Sequence, residues 1–345
     1  MIKEIAIQNF KSIVNLKLPL GRFNLFIGAN GSGKSNILEA IAFGAAASAD
    51  KLDFEYFANR GIRVVEPRFM LPAFEDANEE RIVVSILNGQ EPLHFEIHYN
   101  RNAKPARWEN ANANTDEKGY KVIPSFPELN QFLIYSLEES KLRKADDSNR
   151  TFPLGLHGEG LFAYLKQIAQ RPDCLDIFNE IKDNLKVLDW FDDLQVPSEQ
   201  LSNEFNLKLK DAYLAETINT FDQRSTNEGF LYLLFYLTLI ISDETPTFFA
   251  VENIDTAFNP KLCREVTKRL IELARKHDKQ IIATTHNASV LDGMDLKDDD
   301  VYLQVVRRSL DGYSKANRVF LKQEFDIPLS EAWQKGFIGG LPDNF

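Results

Sequence analysis

Eight residues constrain this chain more than any others: Gly28-Ala29-Asn30-Gly31-Ser32-Gly33-Lys34-Ser35, set between an apolar strand, Phe23 to Ile27, and a helical segment running to about Ala49. The pattern G-x-x-x-x-G-K-[ST] in a strand–loop–helix frame has a specific physical content. Glycines let consecutive backbone N–H groups curl around a phosphate, and the N-terminus of the following helix adds its partial positive charge. Lys34 then reaches the terminal phosphates of a nucleotide, and the Ser35 hydroxyl a Mg²⁺ ion. Gly28, Asn30, Gly31, Ser32, Gly33, Lys34, Ser35 and Asn36 are therefore candidate nucleotide-binding residues. The helix that must carry them shows Ile37, Leu38, Ile41 and Ala42 on one face, as a helix buried on one side requires.

The rest of the chain supplies the elements such a loop needs around it. Residues 2–10 alternate apolar and polar, Ile5 and Ile7 against Glu4 and Gln8, as in a half-buried strand. Arg81–Leu87 and His94–Tyr99 read as a hairpin about Asn88-Gly89, and Gln131–Tyr135 as a further strand. Residues 100–121, rich in Asn, Ala and charge, are expected to form an exposed loop or arm. Helices follow at Leu161–Gln170 and Cys174–Val187, then a strand at Asn206–Asp211. Thr247–Val251 is wholly apolar, as a central parallel strand buried on both faces would be, and ends at Glu252. Asn259 and Pro260 provide an N-cap and a first-turn proline for the helix Lys261–His277. Gln280–Thr284 is the next buried strand, and Val301–Val306 with Arg318–Leu321 flank a turn at Asp311-Gly312. Strands alternating with helices place the chain in the α/β class.

Composition narrows the function. A chain of 345 residues, 44% hydrophobic and 26% charged, is that of a globular protein. Its net charge of −11 argues against a general nucleic-acid coat; a contact with DNA would need a local basic patch. The longest apolar run, Phe230–Ile241, spans 12 residues and is interrupted only by Thr238. That falls short of the roughly 20 needed to cross a bilayer, so it reads as a buried helix. The N-terminus has no signal-peptide pattern, and the two cysteines, Cys174 and Cys263, give neither a disulfide framework nor a metal knuckle. A cytoplasmic protein without membrane contact is expected.

With these residues in place a family resemblance is visible. Phe248-Phe249-Ala250-Val251-Glu252-Asn253-Ile254-Asp255 and the following residues to Asn259-Pro260 resemble the Walker B strand and D-loop of ABC-type ATPases of the SMC/RecF/OLD-like class. Ile281-Ile282-Ala283-Thr284-Thr285-His286-Asn287 is similar to that class's switch-histidine strand. Ser225-Thr226-Asn227-Glu228-Gly229, before the apolar helix, stands where the signature segment belongs, and the opening Asn9-Phe10-Lys11-Ser12 and closing residues 336–345 fit the same class. The resemblance leaves only about residues 50–205 unmatched. It implies one ABC-type head over residues 1–345, with a P-loop core sheet, an N-terminal antiparallel β portion and a helical or arm insertion. A lobe of about residues 1–150 would carry the P-loop, and one of about 151–345 the signature helix, Walker B strand and switch histidine. It further implies ATP and Mg²⁺ as ligands, with Lys11 joining the P-loop at the nucleotide. Ser35 and Glu252 would serve the metal, His286 would sense the γ-phosphate, and Ser225, Asn227 and Glu228 would close on the nucleotide of a second copy.

Two departures shape the expected activity. Walker B normally reads aspartate then glutamate; here Glu252 takes the aspartate's place, and Asn253 stands where the base that activates water is expected. A carboxamide cannot accept that proton, so hydrolysis should be slow unless Asp255 or His286 substitutes. In the signature, Asn227-Glu228 replaces the usual glycine pair, and no Q-loop glutamine can be placed. His94, Glu96 and His98 share a strand face that reads as solvated in preference to metal-binding, and Arg101, Lys104 and Arg107 near Trp108 form a weak candidate for nucleic-acid contact. The 59 residues after His286 are expected to be too few for a TOPRIM nuclease. The resemblance thus points to an ATP-driven homodimer, or larger homo-oligomer, acting as sensor or scaffold for a separately encoded toxin or nuclease in anti-phage defence. A RecF-like DNA-repair ATPase, a catalytically weak structural head and, less well supported, a transporter's nucleotide-binding subunit are the alternatives.

Overall fold

A computed structural model describes residues 1–74, 80–89, 92–111, 114–115, 121–122, 126–144, 153–196, 207–217, 220–320 and 327–341. Two compact units divide the chain: Met1–Ile134 with Thr247–Ile254 and Gln280–Phe345, and Tyr135–Pro246 with Asp255–Lys279. They do not follow the expected division near residue 150. The apolar strands Phe248–Val251 and Gln280–Thr284 join the P-loop strand in one sheet, so the first unit draws on three stretches of chain.

In the first unit that sheet runs in the order Ser314–Arg318, Val301–Arg308, Phe23–Ile27, Gln280–Thr284, Phe248–Val251, with Ile134–Tyr135 as sixth strand where the chain leaves the unit. Four central members are parallel, Val305 opposite Ile27 and Phe26 opposite Thr284, and the hairpin partner Ser314–Arg318 is antiparallel. Phe23–Ile27, Phe248–Val251 and Gln280–Thr284 are buried at every position, which is why they are mostly apolar; the buried amides of Asn24 and Gln280 are satisfied by backbone carbonyls. Parallel strands all end on one edge, and the loops leaving that edge carry the chemistry.

A second, antiparallel sheet has the order Ile13–Pro19, Glu4–Phe10, Arg81–Leu87, Leu93–Asn100, Arg107–Asn110. Its alternation is the one read in the sequence, with Ile5 and Ile7 inside and Gln8 exposed. The helix Lys34–Ser48 packs on it so closely that a Cβ at Gly44 would lie 2.6 Å from Val84 Cγ1. Phe43 from this helix meets Phe10, Phe57 and Trp108, so one hydrophobic core joins helix and sheet.

The expected exposed arm at 100–121 is corrected in part. Arg107–Asn110 is the edge strand of the antiparallel sheet, and Trp108 is 4% exposed, edge-on to Phe43 and against Tyr99. A buried indole cannot stack on bases, which removes the stacking half of that candidate; Arg101 and Lys104 are exposed, and Arg107, also exposed, pairs with Glu109. Residues 112–113 and 116–120 lie outside the described residues. The strand expected at Gln131–Tyr135 is confined to Ile134–Tyr135, and Ile13–Pro19 and Phe191–Gln195 are strands the sequence reading did not anticipate.

The second unit is helical, with Leu161–Gln170, Leu175–Leu185, Glu228–Ile241 and Pro260–Lys276, plus a small antiparallel sheet of Phe191–Gln195, Lys208–Asp211 and Thr220–Phe221. Gly229–Ile241 is buried throughout, as its apolar sequence requires, and the Thr238 hydroxyl within it donates to Leu234 O at 2.7 Å. No helix among the described residues is long and apolar enough to cross a membrane. Asn259 caps Pro260–Lys276 by accepting from Leu262 N at 3.0 Å, the start anticipated from Asn-Pro.

Candidate nucleotide site

In the first unit Asn30–Asn36, Arg63, Glu252, Asn253, Thr284, His286 and Arg308 line a cavity of about 310 Å³. Its floor is the loop between Phe23–Ile27 and the helix Lys34–Ser48. Gly28, Gly31 and Gly33 have φ of 150°, 74° and 111°, in or bordering a region where L side chains are strained. Two of these glycines are also required by contact. A Cβ at Gly28 would fall 2.1 Å from Val306 O, and one at Gly33 2.0 Å from Ser314 Oγ. Gly33 caps the helix in left-handed conformation without any side-chain hydrogen bond, leaving the first-turn amides free of a capping side chain.

Lys34 is 7% exposed and donates from Nζ to Gly28 O at 2.8 Å and Ala29 O at 3.2 Å. Burial pulls its ammonium down to about 8, while the Glu252 carboxylate favours the charged form. The Ser35 hydroxyl donates to Glu252 Oε1. Glu252 follows directly on Phe248–Val251, and the next residue, Asn253, turns the chain with φ 50° and donates its backbone N–H to Thr284 Oγ1 at 3.0 Å. Thr284 ends its own parallel strand, so two neighbouring strands deliver Glu252, Asn253, Thr284 and His286 to one wall. His286 is exposed on the cavity.

Lys11 has a different position from the one expected. It occupies the tight turn between Glu4–Phe10 and Ile13–Pro19 with φ 50°, and its ammonium is paired with Glu39 of the P-loop helix instead of lining the cavity. Glu39, with its side chain 3% exposed, also holds Arg63, and Arg63 reaches Asn36 Oδ1 at 3.3 Å. Asn36 in turn donates to Ser12 Oγ at 2.7 Å, Ser12 and Ser314 share a hydroxyl bond at 2.7 Å, and Ser314 donates to Ser32 O at 2.7 Å. This hydrogen-bonded chain ties the loop to the N-terminal turn and the hairpin, which over-determines its backbone.

The sequence reading missed Arg63, Arg308, Thr284 and Glu39. Glu39 lies only five residues beyond Lys34, and its carboxylate on the buried side of an otherwise apolar helix was a usable signal. Arg63 and Arg308 had none, because nothing local distinguishes them from surface arginines.

Asp255, Ser225, Asn227 and Glu228 belong to the second unit. There Asn227 caps Glu228–Ile241, accepting from Phe230 N at 2.8 Å, and Asp222 Oδ1 accepts from Arg224 N and Ser225 N at 3.0 and 3.2 Å. Arg143 gathers the carbonyls of Gln223, Arg224 and Thr226 at 2.9–3.1 Å while paired with Glu139 at 2.6 Å. The signature-like segment is thus held by an arginine more than 80 residues earlier in sequence. His94 bonds Ser85 Oγ through Nδ1 at 2.7 Å, and among the described residues no cluster of metal ligands is found.

Comparison with known proteins agrees with this geometry. Structures of SMC heads share the fold. One bound to the C-winged helix domain of ScpA has a TM-score of 0.60 at 17% identity, covering 93% of this chain and 98% of that one. An SMC head with an extended coiled coil bound to the ScpA C-terminal domain, derived from Pyrococcus furiosus, gives 0.58 at 13% identity over 97% and 98%. The SMC head domain from Thermotoga maritima gives 0.51 at 16% identity over 93% and 99%. In sequence, the DNA replication and repair protein RecF of Glaesserella parasuis serovar 5 is 35% identical over 86 residues, 25% of this chain and only 22% of that protein. The family described as "AAA domain, putative AbiEii toxin, Type IV TA system" matches residues 23–292, the span that holds the P-loop, Glu252 and His286. The chain belongs to that family of AAA domains, with a P-loop and the fold of SMC heads.

Proposed function

We propose that this protein is a slow ATPase switch: it binds Mg-ATP in the cavity, pairs with a second copy while ATP is held, and signals to a separately encoded effector. The observation that carries the reading is the convergence of Lys34, Ser35, Glu252, Asn253 and His286 on one cavity. The residues fit the group that the family implies. A buried ammonium and a glycine-shaped loop at a helix N-terminus suit phosphates, and a hydroxyl beside a carboxylate is an oxygen-donor pair suited to Mg²⁺. When bound, the metal supplies charge neutralisation for the phosphates. Lys34, with amides of the phosphate loop, binds them; Ser35 and Glu252 hold the metal; His286, which lines the same cavity, senses the terminal phosphate.

Asn253 sets the rate. Its carboxamide stands beside the cavity where a water-activating carboxylate would act, and it has no lone pair basic enough to take a proton. Slow turnover makes for a long-lived ATP state, which suits a switch better than a motor. Ser225, Asn227 and Glu228 then face the nucleotide of the second copy. The family's description, "putative AbiEii toxin, Type IV TA system", supports a toxin–antitoxin setting, and within this proposal the effector is a toxin or nuclease acting in anti-phage defence. The RecF match favours a second reading, a DNA-repair ATPase, which requires that DNA alter turnover.

The test is light scattering with and without Mg-ATP, together with ATP turnover measured with and without duplex DNA. ATP-dependent doubling of mass with turnover indifferent to DNA is the expected result. A mass that ignores ATP sinks the switch, and turnover stimulated by DNA favours the repair reading.

A further inference from the structure

We propose that Arg308 is a nucleotide-binding residue of this site, delivered by a distant strand, which fixes the tip of the phosphate loop and adds a cation for the phosphates. The inference rests on the reading of the cavity as a nucleotide site. Arg308 ends the strand Val301–Arg308, whose parallel pairing with Phe23–Ile27 sets Val305 opposite Ile27. Where the P-loop strand gives way to its loop, the neighbouring strand continues three residues further. That overhang brings Arg308 onto the cavity wall.

There the guanidinium donates from Nε to Gly31 O at 2.9 Å and from Nη1 to Gly312 O at 2.5 Å. Gly31 is the exposed tip of the loop, and a Cβ there would meet nothing within 4 Å. A tip with so little packing around it relies on hydrogen bonds to fix its peptide plane, and Arg308 supplies the one on the carbonyl side. Because a trans peptide is planar, the Arg308 bond to the Gly31 carbonyl and the Ser32 N–H bond to Ala29 O, at 3.2 Å, act on one rigid unit and together set the path of the loop into Gly33 and the helix. Arg308 therefore acts on the geometry of the cradle as well as on its charge.

The charges around the cavity point the same way. Lys34, Arg63 and Arg308 line it, with Glu252 as the facing carboxylate. Lys34 feels Glu252, and Arg63 is paired with Glu39. The bonds of Arg308 go to neutral carbonyls, and among the described residues it has no carboxylate partner. A planar guanidinium with uncompensated charge at a phosphate loop matches a phosphate oxygen in both geometry and sign. The protein's net charge of −11 makes such a local excess of cations the more informative.

The experiment is a fluorescence titration of the full chain with mant-ATP and mant-ADP in Mg²⁺, using wild type, Arg308→Ala, Arg308→Lys and Arg307→Ala, with the Tm of each apo protein. Arg307 is an exposed neighbour on the opposite face of the strand and serves as the control. Arg308→Ala should weaken mant-ATP about tenfold, mant-ADP less, at little cost in Tm. Arg308→Lys should recover part of the loss, and Arg307→Ala should bind as wild type. A folded Arg308→Ala that binds both nucleotides as wild type does, or a loss equal in Arg307→Ala, overturns the inference alone. Folded wild type that binds neither nucleotide overturns the nucleotide reading of the cavity, and this inference with it.

Discussion

The two units each contain a buried helix entered from a loop, and the loops finish their helices in opposite ways. Lys34–Ser48 begins at Gly33, in left-handed conformation, with no side chain bonding its first amides. Glu228–Ile241 begins at Asn227, whose side chain takes up the Phe230 amide. The first start leaves its donors for a ligand and depends on the hairpin and the N-terminal turn for its shape. The second satisfies itself. A helix N-terminus is therefore a phosphate site only where the chain declines to cap it, and here the choice is made by a glycine against an asparagine.

Removing the cation at the open start should have the largest effect. Lys34→Ala is expected to weaken mant-ATP binding about a hundredfold, the scale of losing a charge-assisted contact with phosphate, with the fold intact by circular dichroism. Unchanged affinity would erase the distinction between the two starts. Next comes the residue that could restore chemistry: Asn253→Glu should raise single-turnover hydrolysis by ten- to a hundredfold, consistent with regaining a general base. A variant no faster than wild type would shift attention to Asp255 and His286.

Gly33→Ala tests the shape of the open start. Its φ of 111° and the clash with Ser314 Oγ should cost about 2–3 kcal/mol, read as a fall in denaturation midpoint. The pH dependence sharpens the charge. With the apo Lys34 ammonium at about 8, nucleotide affinity should fall, at most about tenfold per unit, as pH rises above 8 and the apo amine loses its proton. Stability moves the other way. The folded value lies below the unfolded 10.5, so the unfolded chain holds more protons between 8 and 10.5 and the apo protein is stabilised as pH rises through that window. Lys279, buried among the carbonyls of Ser242, Thr245 and Pro246 and also near 8, contributes in the same direction, so Lys34→Met should flatten only part of the rise.

The smallest effect belongs to the self-capped start. Asn227→Ala should cost about 1 kcal/mol and leave nucleotide binding by a single copy untouched. Loss of that binding would show that the two starts are not independent.

Much of the site was legible because its signals are local. The glycines, lysine and serine of the loop, the apolar strand before Glu252, and the strand before His286 each announce themselves within a dozen residues, and the cavity brings them together. Trp108 was misread because its surroundings are polar in sequence; burial came from Phe43, a residue of the P-loop helix. Lys11 was assigned to the nucleotide, whereas its ammonium is paired with Glu39 and the cavity is lined without it.

By itself the sequence determined what short-range sterics and periodicity enforce: a phosphate loop between strand and helix, fully buried parallel strands, the Asn259–Pro260 helix start, and the hairpin at Asn88-Gly89. Tertiary structure decided which distant side chains share the cavity. Arg63 arrives because a buried carboxylate orients it, and Arg308 because one strand of a parallel pair outruns its neighbour. Pairing register and the burial of charge are properties of the assembled sheet and core, and no window along the chain contains them.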